Sequence, residues 1–371
     1  MWISKSSRES RVEKSGASGE ASALLPTPGT RYLIPVFLFC LLLSADSLLP
    51  TAYSLPPARG LYEIREVKPH VFVWVPEDVL DQDGDPQFSR AGTVGFVITT
   101  EGVVVVNSTN TPSHARELLY EIRRRTDLPV RYVINTDSHP DLMLGNEVFL
   151  DQQAIVVSTS MAAAEMRQYG RDLLQRLRED ENWRLQGRMR GIHPTMPGQT
   201  FDHEMTIRLG GQEIKLLSMP GGHSAGDAVV HLPGARVLFL GHLLENGFFP
   251  RLASSDVRQW IETLRQMGSW DVDTYIPGHG PPADKKQLAE FRGFLEWLVT
   301  EIETRIQAGK SLEDIKREVN PLETFHWSAR DLVPQDIEEV YKQLEQAQPA
   351  RAATPPPAGQ APSSGPSNPP Q

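Results

Sequence analysis

The sequence predicts an α/β fold in which two similar halves pack sheet to sheet with helices outside. Three observations carry that prediction. Short β-branched runs recur along the chain, a segment of helical periodicity separates two of them, and the order strands, helices, strands, helices is followed through the chain. Runs at residues 71–75, 95–99, 103–106 and 130–134 read as strands, with Glu101-Gly102 turning between two of them. Residues 113–126 open on a serine and place Leu118, Leu119 and Ile122 at helical spacing before Pro129 and the next strand. The local unit is strand, helix, strand. Residues 158 to about 188 are helical again, polar and arginine-rich, and the Gly- and Pro-punctuated stretch up to Thr200 completes what reads as an insertion over the sheet. Two hairpins follow, 205–209 with 213–219 across Gly210-Gly211, and 228–232 with 237–240 across Pro233-Gly234. Helices return at 255–267 and 285–308.

Composition divides the chain into three parts. Lys5, Arg8, Arg11, Lys14 and Arg31 precede the apolar run YLIPVFLFCLLLS at 32–44, which is shorter than the roughly 20 residues a spanning helix needs. Ala52-Tyr53-Ser54 offers small residues where a signal peptidase reads. Residues 1–54 are therefore a polar leader with either a cleaved signal peptide or an uncleaved anchor at 32–49. Either reading predicts export, to a periplasmic or extracellular location. Residues 60–346 show no repeat and no linker, and are expected to form one domain with a helical C-terminal extension. Residues 347–371 are dense in Pro, Ala, Gly and Ser and are expected to be a disordered tail.

The totals narrow the chemistry. Asp and Glu outnumber Lys and Arg by 47 to 37, so no basic field draws the chain to nucleic acid, and a small-molecule substrate is the expected partner. The one cysteine, Cys40, lies in the apolar run, which excludes intramolecular disulfides and multi-thiolate metal sites. A metal here must be held by His and carboxylates. Any contact with a membrane falls to the N-terminal segment.

Four short segments place His or Asp at strand ends, where loops can gather them into one cleft: Asn135-Thr136-Asp137-Ser138-His139-Pro140-Asp141, Pro220-Gly221-Gly222-His223-Ser224-Ala225-Gly226-Asp227, Leu240-Gly241-His242-Leu243 and Ile276-Pro277-Gly278-His279-Gly280. In order and spacing they resemble the four ligand-bearing motifs of the metallo-β-lactamase superfamily, from about residue 60 to 298. That family carries Thr-His-x-His-x-Asp-His, Pro-Gly-His-(Ser/Thr)-x-Gly, a Gly-Asp after an apolar strand, and Pro-Gly-His-Gly. The resemblance implies a four-layer αββα sandwich with metal at the edge between the two halves.

Two motifs depart from the pattern. Asp137 stands where the first His would be, Leu142 where the last would be, and His242 where the family has a metal-bridging Asp. Gly222 is one residue more than the second motif has, and Asn107 replaces an Asp that is mainly structural. What the resemblance then implies is Asp137, His139 and His223 around a first metal, Asp141 and His279 toward a second, and His242 between them. Zn2+ is the expected cofactor, one ion tightly bound and the second weak or absent, with Fe or Mn as the other metals such donors accept. The exchange of His for Asp at one position and Asp for His at another leaves two carboxylates and four imidazoles, which argues for redesign over decay.

The implied activity is hydrolysis of an ester, thioester, lactone or amide-type carbonyl by metal-bound hydroxide, with Asp141 as the catalytic residue that orients or deprotonates the water. A catalytically impaired fold serving as a binding or interaction module is the second class. Asn135 and Asn146 read as loop or capping residues, His114, His203 and His231 as surface groups, and Asp227 as a stabiliser of the second motif's loop.

Overall fold

The structure is a computed structural model and describes residues 62–76, 91–179 and 192–347. The leader, the 32–49 segment and the Pro-rich tail lie outside the described residues.

Seven strands form the first sheet: β1 (Tyr62–Lys68), β2 (Val71–Pro76), β3 (Val94–Ile98), β4 (Val103–Val106), β5 (Val130–Ile134), β6 (Ile155–Thr159) and β7 (Gln199–Phe201), in that spatial order. β1 to β4 pair antiparallel, and β4 to β7 pair parallel. The second sheet has the order β12 (Thr274–His279), β11 (Val237–Glu245), β10 (Ala228–Leu232), β9 (Gln212–Ser218), β8 (Glu204–Leu209), and only its β11–β12 pair is parallel.

Burial patterns explain the layering. β4 is Val-Val-Val-Val and β11 is Val-Leu-Phe-Leu-Gly-His-Leu-Leu-Glu, and both are buried at every residue. A strand reads as a continuous apolar run when both its faces are covered. Between the sheets lie Val71, Val73, Val104, Val106, Ile134 and Val157 from the first, with Ile214, Leu216, Val230, Phe239 and Ile276 from the second. The outer face of the first sheet is covered by α1 (Pro112–Arg123), through Ala115, Leu118, Leu119 and Ile122, and by α3 (Asn146–Leu150), through Val148 and Phe149. The outer face of the second is covered by α5 (Val257–Gly268) and α6 (Lys285–Gln307), then by α7 (Leu312–Glu318) and α8 (Val333–Ala347). The result is the αββα sandwich the sequence predicts.

The helix starts are legible in side-chain chemistry. Thr111 accepts from the His114 N–H with Pro112 in the first turn, Asp256 accepts from the Gln259 N–H, and Asp284 with Gln287 forms a capping box.

One expectation changes. Helix α4 (Ser160–Glu179) begins after β6, not at Ser158, and its return segment adds β7 to the sheet beside β6. The stretch is a parallel strand, helix, strand crossover, not an insertion laid over the sheet. The part of the expected helix from 180 to about 188 lies outside the described residues.

Candidate metal centre

The four motifs meet at one edge of the sandwich because each follows, ends or lies within a strand there. The loop 135–139 leaves the C-terminal end of β5, and α2 (Pro140–Met143) begins after His139. His223 sits between β9 and β10, His242 within β11, and His279 at the last residue of β12. Backbone hydrogen bonds lock these segments together, within each half and between the two sheets. The Ala228 N–H donates to Thr136 O at 2.6 Å, the Thr93 N–H to Gly278 O at 2.6 Å, the Gly92 N–H to Asp141 O at 3.2 Å and the Asn246 N–H to His279 O at 3.0 Å. The α4 end of the crossover adds two more ties, Thr159 Oγ1 donating to Gly226 O at 2.8 Å and Ser138 Oγ to Glu165 Oε2 at 2.7 Å.

Two groups of side chains converge. In one, ligand atoms of His139, His223 and His242 lie within 4.8 Å of one another, and in the other those of Asp141, His242 and His279 do. His242 belongs to both. Its Nδ1 lies 3.0 Å from Asp137 Oδ2 and its Nε2 lies 3.0 Å from Asp141 Oδ2, which is also 2.8 Å from His279 Nε2.

Asp137 is placed differently from the ligand position expected for it. Its carboxylate accepts from the His139 backbone N–H at 2.9 Å and the Thr136 hydroxyl at 3.1 Å, and faces the His139 and His242 ring nitrogens at 3.3 and 3.0 Å. It joins neither trio. A carboxylate on the Nδ1 side of an imidazole leaves Nε2 as the donor toward an ion, the arrangement that orients histidine ligands. The third imidazole of the first trio is then His242, in the place expected of Asp137.

The charges follow from this packing. Burial alone would raise the Asp137 and Asp141 carboxyls, but the positive charge of His242, with hydrogen bonds from His139 or His279, outweighs it and holds both well below the usual range. Burial opposes protonation of His242, yet the same two carboxylates push it well above its ordinary value. His223 is driven the other way, by burial first and then by His139 and His242. Asp227 is raised to about 7 by burial, and it accepts from the Ser224 N–H at 2.9 Å and hydroxyl at 2.5 Å, so it holds the second motif's loop.

The donor set fits a zinc-type ion. It offers imidazole nitrogens and carboxylate oxygens with no thiolate, and among the described residues His223 Nδ1 and Glu245 Oε2 are buried with no hydrogen-bond partner. Leu142 points away from donor chemistry altogether. It is fully buried in the outer core of the first sheet, and a Cβ built on Gly92 would lie 2.2 Å from its Cδ2.

The remaining expectations resolve as follows. Asn135 and Asn146 are buried and exchange hydrogen bonds at 3.1 and 2.8 Å, while Asn107, at φ 64°, holds Thr136 through its side chain. His203 is exposed, but His114 and His231 are half-buried against Trp74 and Trp270, which corrects their reading as surface groups. Glu245 and Arg251, which no motif marks, line the same cleft together with Tyr169, Phe248, Phe249, Ala329 and Leu332. Glu245 ends a strand that is apolar apart from His242, the one signal in the sequence that could have singled it out.

The sequence profile of the metallo-beta-lactamase superfamily matches residues 89–279, just over half of the chain, and the chain belongs to that superfamily. It is similar to the linear primary-alkylsulfatase of a Pseudomonas species, 21% identical over 231 residues that cover 51% of this chain and 42% of the relative. It is also similar to the type 2 metallo-beta-lactamase of Elizabethkingia meningoseptica, 27% identical over 203 residues covering 53% of this chain and 72% of the relative. The chain thus spans less than half the length of the alkylsulfatase. Among solved structures, a metallo-beta-lactamase from Pontibacter korlensis superposes with a TM-score of 0.50 at 22% identity, covering 63% of this chain and 99% of that one, which bears on the fold alone.

Proposed function

We propose that this chain is a metal-dependent hydrolase with its primary ion, zinc by donor type, held by His139, His223 and His242. The convergence of those three imidazoles in one cluster, two of them buried, is the observation that carries the reading. When bound, such an ion supplies Lewis acidity, polarising a substrate oxygen and lowering the pKa of water. The rest is done by the chain. Asp137 fixes the His242 ring through Nδ1 and steadies the His139 turn, so the nitrogens are aimed before any ion arrives. Asp141, held between His242 and His279, sits where it can orient a water and take its proton.

His242 also bears on the count of tightly held ions. It is the one residue common to both trios, with Nδ1 facing Asp137 and Nε2 facing Asp141, so in this reading one ion is held tightly and a second weakly.

The cleft favours an anionic ester with an apolar portion. Among the described residues, Arg251 is the one Lys or Arg lining it, and Phe248, Phe249 and Leu332 give it an apolar wall. A sulfate ester has this character, and so does an ester or thioester carrying a carboxylate. The Pseudomonas relative, named a linear primary-alkylsulfatase, agrees with the first. Export through the 32–49 segment places the enzyme outside the cytoplasm in this reading.

The test is a panel of aryl and alkyl sulfates, carboxylate-bearing esters and thioesters, lactones and a cephalosporin. It is run on the purified full chain loaded with zinc, stripped by chelator, and as His223→Ala. Turnover of an anionic ester that is lost in both controls is expected. Equal rates in loaded, stripped and His223→Ala protein would sink the reading.

A further inference from the structure

We propose that the C-terminal extension completes the substrate site, with Leu332 and Ala329 seating the apolar chain of an anionic ester whose charged group lies at Arg251. The substrate class this selects is an anionic ester with an extended alkyl or acyl chain. The inference deepens the hydrolase reading above and rests on it.

Two segments of the cleft come from outside the four motifs. The loop between β11 and α5 supplies Phe248, Phe249 and Arg251, and the extension supplies Ala329 and Leu332. The second segment lies beyond residue 279, where the superfamily match stops. The two are stitched together at both ends. On one side the Ser328 N–H donates to Gly247 O at 2.9 Å and the Phe249 N–H to Ser328 O at 3.0 Å. On the other the Leu252 N–H donates to Asp336 Oδ1 at 2.9 Å. Arg251 lies next to the second tether, and Leu332 lies between positions 328 and 336, on one turn of 3-10 helix, Arg330–Leu332. The extension therefore fixes where the cation stands relative to its own apolar residues.

Those residues are placed for more than packing. Val333, Ile337, Val340 and Leu344 are buried in the core of the second half, whereas Leu332 is only partly buried against it and lines the cleft. Apolar surface left at a cleft gains by being covered with an apolar group. Ala329 at φ 61° and Ser254 at φ 70° both line the cleft in left-handed backbone, where glycine would be free of strain, so each keeps a side chain on the cleft surface against a backbone preference. The apolar wall starts at the metal centre, because the Phe248 ring lies 5.6 Å from the His279 ring. Arg251 supplies the charge. Burial raises the Asp336 carboxyl and the charge of Arg251 draws it back, so the guanidinium sits near the same tether. An anion with a chain uses both features at once, and a short anion uses the first alone.

The experiment titrates the full chain, loaded with one equivalent of Zn2+, with methanesulfonate, butanesulfonate and octanesulfonate by isothermal calorimetry. These probes carry one anionic group, resist hydrolysis and differ only in chain length. Affinity is expected to rise along the series, with octanesulfonate on the order of 100-fold tighter than methanesulfonate. Leu332→Ala should weaken octanesulfonate about tenfold and leave methanesulfonate unchanged, and Arg251→Gln should weaken all three by a similar factor. Equal affinity along the series, no binding of any probe, or either variant binding as the unmodified chain does overturns the inference. The proposed function still stands in those cases if the same protein shows zinc-dependent turnover of a short anionic ester. A chain with no zinc-dependent turnover of any ester overturns both. Should Leu332→Ala fail to fold, a crystal structure of the unmodified zinc-loaded chain with octanesulfonate decides. An alkyl chain in van der Waals contact with Leu332 and Ala329 supports the assignment, and a chain lying elsewhere overturns it.

Discussion

Asp137 and His242 act as one unit, because the carboxylate that stands at one motif is spent on the imidazole that stands at the other, 3.0 Å away. Changing either alone breaks the pair. Asp137→Asn keeps the shape but removes the charge behind two imidazoles, so zinc affinity should fall on the order of 10- to 100-fold with the fold retained, as measured by chelator competition beside circular dichroism. An affinity equal to that of the unmodified chain would mean that the carboxylate orients nothing. Gly241 is the second residue on which the pair depends. Its φ is +53°, and a Cβ there would lie 2.2 Å from Thr136 Oγ1 and 3.1 Å from Asp137 Oδ2. Gly241→Ala should therefore lower stability by about 3 kcal/mol, combining the left-handed backbone penalty with a displaced Thr136–Asp137 turn, and denaturant titration checks it. What the residue types disclosed was the set of donors, since His139, Asp141, His223, His242 and His279 are all brought together. Whether a carboxylate faces the ion or the ring behind it depends on side-chain direction, which motif spacing does not encode. Asp137 lies outside both trios, which its motif position does not reveal, and Glu245 was missed because it carries no motif of its own.

At the scale of elements, the loop between β11 and α5 forms one wall of the cleft and is fastened from the C-terminal side. Phe249 N–H donates to Ser328 O at 3.0 Å, Leu252 N–H to Asp336 Oδ1 at 2.9 Å, and Val257 N–H to Gln343 Oε1 at 3.1 Å. Asp336 has a price in pH range. Burial raises its carboxyl well above the ordinary value; the Leu252 N–H and Arg251 offset this in part, while Asp331 and Glu339 add to it. A raised folded-state pKa gives stability that is complete below the unfolded value of 3.8 and is lost as pH rises through the folded value. Asp336→Asn should accordingly match the unmodified chain at acid pH and melt at a higher temperature at alkaline pH, as thermal unfolding across a pH series will show. Parallel melting curves at every pH would contradict the assignment. Strands rich in valine and isoleucine were legible to the residue, as β4, β5 and β10 show. β1 alternates with charges, β12 contains Pro277, and the Ser158-Thr159 end of β6 imitates a helix start, so those three were obscured by their own chemistry.

For the whole molecule, the superfamily match ends at His279, yet the second half's core does not. Ile315, Val319, Val333, Ile337, Val340 and Leu344 are buried from α7 onward, against the same cluster as Phe249, Trp260 and Phe294. Burying six such side chains contributes on the order of 10 kcal/mol, comparable to the entire stability of a domain. A chain ending at residue 308 should therefore fail to accumulate in soluble, cooperatively unfolding form. Soluble protein with a sharp melting transition would show the extension to be dispensable.

The account turns on which side chains hold the primary ion. X-ray absorption at the zinc edge, on the full chain loaded with one equivalent, reads that shell directly. Three imidazoles are predicted, falling by one in His242→Ala and staying at three in Asp137→Asn. Loss of an oxygen donor in Asp137→Asn, with the shell of His242→Ala unchanged, would contradict it.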